Sequence, residues 1–419
     1  MRPWSRWIGA GAAVGIITAL VPVVRGKIAL PSPLAKLEKR VAAAHTRSAP
    51  AKPGGPDLEG LDLLRLEMHP RRVTAPLSDG REAELTLDPY LEREALSVMK
   101  RYRIPEAGTV VMQVKTGNVL AYASYVNTGK PFDVNARAEA PAASTFKVVT
   151  ASALVEKAGL SSKTEQCYHG GHSRILADEL KDDPHRDKWC ATLAMALGRS
   201  LNVVFAKLAQ KKLTPEELTA MGGAYGYGAP IPFAVPNEAP KIDIPIEPLD
   251  FARSAAGFWH TSNSPLGEVS VAQTVANDGV ALAPRIVRAI YKGRKKIWQD
   301  DDGPRVLRHA VKPSTAHEVQ KMMLQTVANG TAYKSFHDHH RRPYIPGIAV
   351  AGKTGTLTRH KQNRLYTWFI GYAPADHPEV AIASLVVNTP IWRIKAPQLA
   401  RQVLQAYFAS KGTPGVVAP

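Results

Sequence analysis

Cysteine is nearly missing from this chain: there are two, Cys167 and Cys190, in 419 residues. That is too few for a small scaffold held by several bridges, and no zinc-finger spacing is present. Acidic residues are outnumbered, 36 against 54 Lys and Arg, which leaves a formal charge of +18. An excess of this size points to nucleic acid, acidic lipid or an anionic polymer. The basic residues are spread along the whole chain and no RNA-binding signature accompanies them, so nucleic acid is not expected as a partner. Internal repeats are also lacking. What is present is globular composition, 45% hydrophobic and 21% charged, enough to bury a sizeable core.

Long uncharged runs are scarce, and one stands out. Trp7 to Val24, WIGAGAAVGIITALVPVV, follows Arg2 and Arg6 and precedes Arg25 and Lys27. A run of this length can just span a bilayer as a helix. A secretory signal has the same layout, but no small-x-small cleavage site follows Val24. An uncleaved anchor is therefore the expectation, with a cleaved signal as the alternative. Either puts the remainder outside the cytoplasm. In that setting Cys167 and Cys190 are expected to pair, closing a loop worth roughly 3 kcal/mol.

Residues 45–57, HTRSAPAKPGGPD, read as a linker. Asp88 and Pro89 open a helix with Leu91, Ala95, Leu96 and Met99 on one face. TVVMQV and NVLAYASYV then form a hairpin whose turn is Lys115-Thr116-Gly117, with Gly117 supplying positive φ. PAASTFKVVTASALVEKAGL reads as a helix stopped at Gly159. WCATLAMALG and NVVFAKLAQKK read as two more, broken at Gly198 to Ser200, and Ser314 opens another. From 349 the pattern turns to a strand meander, AVAGKTGTL, LYTWFIGY and EVAIASLVV, closed by the helix KAPQLARQVLQAYFA. Helices fill the middle and strands come from both ends, which predicts an α+β fold whose sheet joins sequence-distant strands.

The chemistry-bearing residues fall in three short clusters. In ASTFK, Ser144 and Lys147 are three apart, so on a helix they share a face and the amine reaches the hydroxyl. Serine is a poor nucleophile unless an adjacent base activates it, and that base must be a neutral lysine. The spacing alone is weak, since Ser97 and Lys100 repeat it on an amphipathic helix where an exposed face is the plainer reading. Ser144 has company: Ser200-Leu201-Asn202 at a break between helices, then Lys353-Thr354-Gly355-Thr356 on a strand. The other Lys-Thr-Gly, at 115, is accounted for by its turn. His337, Asp338, His339 and His340, and His169 and His172 beside Cys167, read as loops rather than metal ligands.

In this order, ASTFK, SLN and KTGT resemble the motif set of the penicillin-binding transpeptidase family of acyl-serine enzymes. The likeness extends to LTLDPYLE with VVMQVKTGNVLAYAS, to SPLGEVSVAQTVANDGVALAPRIV, and to MMLQTVANGTAYKS and YTWFIGYAP, and covers about 85 to 410. It implies a β-lactamase/transpeptidase-like α+β fold: an antiparallel sheet covered by terminal helices, and a helical subdomain holding the nucleophile. The implied layout is a cytoplasmic tip (1–6), an anchor or signal (7–24), a linker and short N-terminal region (25–84), the transpeptidase module (85–411) and a tail (412–419).

By resemblance, Ser144 would attack the penultimate D-Ala carbonyl of a D-Ala-D-Ala stem peptide, and Lys147 would take its proton. Ser200 would relay a proton to the leaving amine, and Asn202 would bond Lys147 or the substrate amide. Lys353 would add positive field. Thr354 and Thr356 would hold the terminal carboxylate, and Gly355 would let the substrate backbone approach. The backbone N–H groups of Ser144 and Thr356 would form the oxyanion hole.

The resemblance implies peptidoglycan stem peptides and β-lactams as ligands, a glycan-polymerising enzyme as partner, a single-pass location at the bacterial cytoplasmic membrane with the module outside, and no cofactor or metal. Residues 25–84 are too short for the glycosyltransferase domain of the bifunctional members. The rival readings are a D,D-carboxypeptidase, a class D-like β-lactamase and a non-catalytic penicillin-binding scaffold. Against a class D enzyme stands Asn202 where those have Val, and a class A Glu-x-x-Leu-Asn is lacking.

Overall fold

The computed structural model describes residues 55–171, 174–389 and 391–419. The expected tip and anchor, and most of the 45–57 linker, lie outside the described residues. Among the described residues no helix is long and apolar enough to cross a membrane.

Seven helices and five strands frame the site. The helices are α1 (Pro89–Arg101), α2 (Lys147–Ala158), α3 (Leu193–Arg199), α4 (Asn202–Lys212), α5 (Pro265–Ala276), α6 (Pro313–Ala328) and α7 (Ala396–Ser410). The strands are β1 (Glu106–Gln113), β2 (Val119–Val126), β3 (Ala351–Arg359), β4 (Arg364–Ala373) and β5 (Val380–Asn388). They form one antiparallel sheet in the order β3-β4-β5-β1-β2. The C-terminal meander joins the N-terminal hairpin through β5 and β1, where Ser384 faces Thr109 and their buried hydroxyls lie 2.7 Å apart. This leaves β3, with its Lys-Thr-Gly, as an edge strand paired on one side only.

Local chemistry explains the elements. The Asp88 carboxylate accepts from the N–H groups of Tyr90 and Leu91, and Pro89 takes the first helical position, so α1 starts where its orphan donors are satisfied. In the β1–β2 hairpin Gly117 has φ +77°, and a Cβ there would stand 2.5 Å from the Ala283 carbonyl. Lys115 is exposed and donates to Asn277, as a turn residue should.

The sheet is covered on both faces. On one, Leu91, Ala95 and Met99 of α1 meet Leu399, Val403 and Leu404 of α7 over Val111, Ile382 and Phe369. On the other lies α5, every residue of which is buried. The helical layer of α2, α3, α4 and α6 packs beyond it in a core continuous with Val110, Ile370 and Ala383.

Two elements differ from the sequence reading. WCATLAMALG is not one helix: Trp189–Thr192 is a strand paired with Glu165–Tyr168, and α3 begins at Leu193, capped by the Thr192 hydroxyl. The reason is tertiary, because Cys167 sits opposite Cys190 in this ribbon and the two sulfurs are bonded. Further, residues 67–85 supply three strands that join Val287–Lys292 and Lys295–Gln299 in a second five-stranded sheet. Short alternating stretches like these carry no helical or buried-strand signature of their own.

Beneath the disulfide ribbon a buried ion cluster fixes α4. Lys207, fully buried, donates to Asp187 at 2.8 Å and to the Lys181 carbonyl at 3.0 Å. The other Asp187 oxygen meets His169 Nδ1 at 2.5 Å. Burial pushes the Asp187 carboxyl up, but the hydrogen bonds from Lys207, His169 and the Asp183 N–H outweigh it and hold the pKa at about 2. The folded value lies below the unfolded one, so the stabilisation is complete above the ordinary value of 3.8 and is lost as the pH falls through about 2. Replacing Lys207 by Met strands the buried carboxylate and should cost about 3 kcal/mol. Chemical denaturation at neutral pH measures that loss, and the same titration toward about pH 2 should show the gap between the two proteins narrowing.

Candidate active site

Ser144 is presented by a strained turn rather than by a regular helix. Ala143–Phe146 forms one 3-10 turn, and α2 begins only at Lys147. In a 3-10 turn residues i and i+3 eclipse, so the Ser-x-x-Lys spacing works here more directly than on an α-helix. Ala143 has φ +51°, a conformation that costs an L-residue about 1–2 kcal/mol and persists only when its surroundings hold it. Those surroundings press from two sides. A Cβ on Gly257 (φ +83°) would lie 2.3 Å from the Ala143 carbonyl oxygen and 3.1 Å from Ser144 Cα. A Cβ on Gly355 would lie 3.2 Å from the Ala142 carbonyl oxygen and 3.3 Å from Thr145 Cγ2. From beneath, the indole N–H of Trp368, cross-strand neighbour of Gly355, donates to the Pro141 carbonyl at 2.9 Å.

Lys147 is fully buried. Its Nζ lies 2.8 Å from Ser144 Oγ, 2.8 Å from Asn202 Oδ1 and 2.6 Å from the Ala256 carbonyl. The last two atoms can only accept. A neutral amine satisfies both with its two hydrogens and turns its lone pair toward the Ser144 hydroxyl, the arrangement a general base needs. Burial drives the Lys147 pKa well below the usual ammonium range, and the charge of Lys353 lowers it further. Its position at the first residue of α2 also sets it in the positive end of the helix dipole.

Lys353 is fully buried too, and burial brings its pKa down to about 7. It donates to Ser200 Oγ at 3.0 Å and to the Thr354 carbonyl at 2.7 Å. Ser200 ends α3 in the left-handed region, φ +58°, and Asn202 starts α4 two residues later. This sharp junction aims Ser200 at one lysine and Asn202 at the other. The Ser144 turn, the Ser-x-Asn junction and the Lys-Thr-Gly strand are therefore joined by hydrogen bonds through two buried amines.

Of the strand residues, Thr354 is half-buried, with its hydroxyl 2.6 Å from that of Thr331, while Thr356 is exposed. Gly355 is buried. Its missing side chain leaves room for the Ser144 turn packed on it.

The other candidates stand apart. Lys100 is exposed on α1; Arg342 pairs with Asp338 at 2.8 Å, and His337 bonds the Tyr333 carbonyl. Cys167 and Cys190 are bonded to each other. The sequence reading passed over Ala256, Gly257, Thr331 and Glu268. The first three carry no motif. Glu268 left one signal, a single carboxylate within the otherwise uncharged SPLGEVSVAQTVA.

Comparison with known proteins bears on this geometry. The family model described as penicillin binding protein transpeptidase domain matches residues 107–405. Stage V sporulation protein D of Bacillus subtilis is 25% identical over 337 residues, 75% of this chain and 50% of that protein. Peptidoglycan D,D-transpeptidase PbpA of Mycolicibacterium smegmatis is 27% identical over 342 residues, 73% of this chain and 67% of that one. The chain thus spans half the length of the first relative and two thirds of the second. Among solved structures, the D,D-transpeptidase domain of a peptidoglycan glycosyltransferase from Eggerthella lenta superposes with a TM-score of 0.64 at 25% identity, covering 79% of this chain and 83% of that one.

Gly257→Ala should displace the Ser144 turn by pressing on the Ala143 carbonyl, while every side chain of the site is kept. A misplacement on the order of 1 Å costs up to about a hundredfold in rate. Covalent labelling of Ser144 by a fluorescent penicillin should accordingly slow by about tenfold or more, while circular dichroism reports an unchanged fold. Labelling at the unaltered rate counts against the wedge.

Proposed function

This chain belongs to the penicillin-binding protein transpeptidase family, and we propose that it is a serine D,D-transpeptidase acting on D-Ala-D-Ala stem peptides of peptidoglycan. The observation that carries the reading is the hydrogen-bond pattern of Lys147, with two acceptors and one serine hydroxyl within 2.8 Å of a buried amine.

In this reading the amine of Lys147 takes the Ser144 proton as Oγ attacks the penultimate D-Ala carbonyl. The developing oxyanion lies between the backbone N–H groups of Ser144 and Thr356, where loss of one donor typically costs about 3 kcal/mol of barrier. Lys353 supplies positive field and polarises Ser200, which relays the proton taken up by Lys147 to the departing D-Ala amine and leaves Lys147 neutral again. Thr356, with Thr354 beside it, takes the terminal carboxylate as the peptide lies along the free edge of β3. An amine of a second stem peptide then attacks the acyl-enzyme and gives up a proton to neutral Lys147, which passes it to Ser144 Oγ as the acyl bond breaks. Asn202 keeps the Lys147 amine oriented throughout.

We assign the catalytic module to residues 85–411, followed by a tail, 412–419. Residues 7–24 act as its membrane anchor behind a cytoplasmic tip, 1–6, so the module works outside the cytoplasmic membrane. Residues 25–84 connect the two. A separate glycan-polymerising enzyme supplies the strands that it crosslinks, and β-lactams acylate Ser144 as substrate mimics.

The test is mass mapping of a penicillin adduct, followed by product analysis with a synthetic D-Ala-D-Ala peptide and an added amine. The adduct should sit on Ser144 and vanish in Ser144→Ala, and D-Ala release should accompany a peptide–amine product. Lys147→Met should slow acylation by about 10²–10⁴. A correctly folded chain that no β-lactam labels would overturn the assignment. Hydrolysis alone would make it a carboxypeptidase, and rapid penicillin turnover a β-lactamase.

A further inference from the structure

Behind the nucleophile turn lies a carboxyl group for which the mechanism above has no use. Glu268, in the first turn of α5, is completely buried. Its Oε1 stands 2.7 Å from Thr145 Oγ1 and 3.4 Å from the Tyr227 hydroxyl, and its Oε2 has no hydrogen-bond partner. The Thr145 hydroxyl also stands 2.7 Å from the Ala142 carbonyl oxygen. Three oxygens thus form a chain with two short contacts, and each contact needs a proton between its atoms. The Ala142 carbonyl has none to offer and Thr145 has one. An ionised Glu268 would leave that one proton shared between two acceptors and would bury a charge whose second oxygen has no partner; a protonated Glu268 supplies the second proton.

We infer that Glu268 is held as a neutral carboxylic acid and that its proton, donated through Thr145, locks the strained turn that presents Ser144. Ala142 and Thr145 bracket Ala143, the residue with positive φ. Tyr227, bonded to the same carboxyl, stacks edge-on against Phe146 at the other end of the turn. The site is built to hold this acid: a Cβ on Gly267 would lie 1.9 Å from Asn263 Oδ1, so the glycine lets the Asn263 side chain lie beside Glu268. Glu268 touches no substrate, so it is a positioning residue.

Burial pushes the Glu268 pKa up to about 7, against the pull of Thr145, Asn263 and Tyr227. Of the other titratable groups on elements packed around α5, Tyr372 of β4 is acted on by Asp278, beyond the helix end, and His317 of α6 pairs with that same Asp278. No lysine or arginine among the described residues is among the groups acting on Glu268. Ionisation therefore removes the proton from the chain of oxygens with no cation to replace it, and the turn loosens as the pH rises.

The inference rests on Ser144 being the nucleophile. Its test is the ratio of penicillin acylation rates, Glu268→Gln over the unaltered protein, across pH. Glutamine keeps the shape and a donor toward Thr145 but cannot ionise. Charge loss at Lys353 slows both proteins alike and cancels. The ratio should be flat below about pH 6 and climb by up to about tenfold per unit above about pH 7. A ratio flat throughout, with both proteins labelled, overturns the role of Glu268 alone. No labelling at any pH overturns the nucleophile assignment as well.

A second measurement needs no change at Glu268. Glu92, whose carboxylate accepts the Tyr122 N–H at 2.7 Å, is also buried with its pKa raised to about 7. Infrared titration of Glu92→Gln should still show a carboxylic-acid carbonyl band that disappears as the pH passes about 7. Absence of that band overturns the proposal whatever the kinetics.

Discussion

Everything at this site depends on keeping two lysine amines out of water a few ångströms from a serine. Ammonium groups resist burial strongly, and each responds by giving up its proton more easily. Lys147 and Lys353 are both fully buried, and the charge on one discourages charge on the other. The two respond unequally: the Lys147 amine is pushed well below the usual ammonium range, while that of Lys353 comes down to about 7. No single element can impose this. It takes α5, the helical layer and the edge of the sheet closing together to remove the water.

The nucleophile turn is held in the same way, by packing rather than by propensity. Ala143 adopts positive φ between Gly257, where a methyl group would collide with the turn, and Gly355, where one would fit only tightly. Trp368 and Glu268 hold the turn from below and behind. Strain of this kind survives only where the surroundings leave the backbone no alternative. The cost falls on the core, which is large: the sheet carries helices on both faces, and α5 is buried along its whole length.

How much of this was legible beforehand differs by element. The hairpin at 115, the Asp88 cap and the C-terminal meander could be read because turn residues and strand periodicity are local signals. The Trp189–Thr192 strand could not, because its four residues run without a break into a helical pattern, and its partner, bonded through a disulfide, lies across a loop. Of the strands at 67–85, Arg81–Leu85 was missed for a similar reason, its partner beginning at Val287, while the other two pair locally but are too short to carry a pattern. Ser144, Lys147, Ser200, Asn202 and Lys353, singled out by the motif set, are brought together by hydrogen bonds through the two amines. The contact of Gly355 with the chain's own turn could not be read, because a strand sequence does not show what packs on it.

The sequence by itself determined which groups could react, the helix and hairpin boundaries that rest on caps and turns, and the α+β class. It did so because covalent chemistry and local backbone preference belong to residues and short segments. Only the tertiary structure decided that Lys147 meets Asn202 and the Ala256 carbonyl, that Lys353 meets Ser200, and that Glu268 lies against the nucleophile turn. Those pairings span up to 153 residues, and proton affinities inside them are set by burial and by neighbours that sequence distance does not encode.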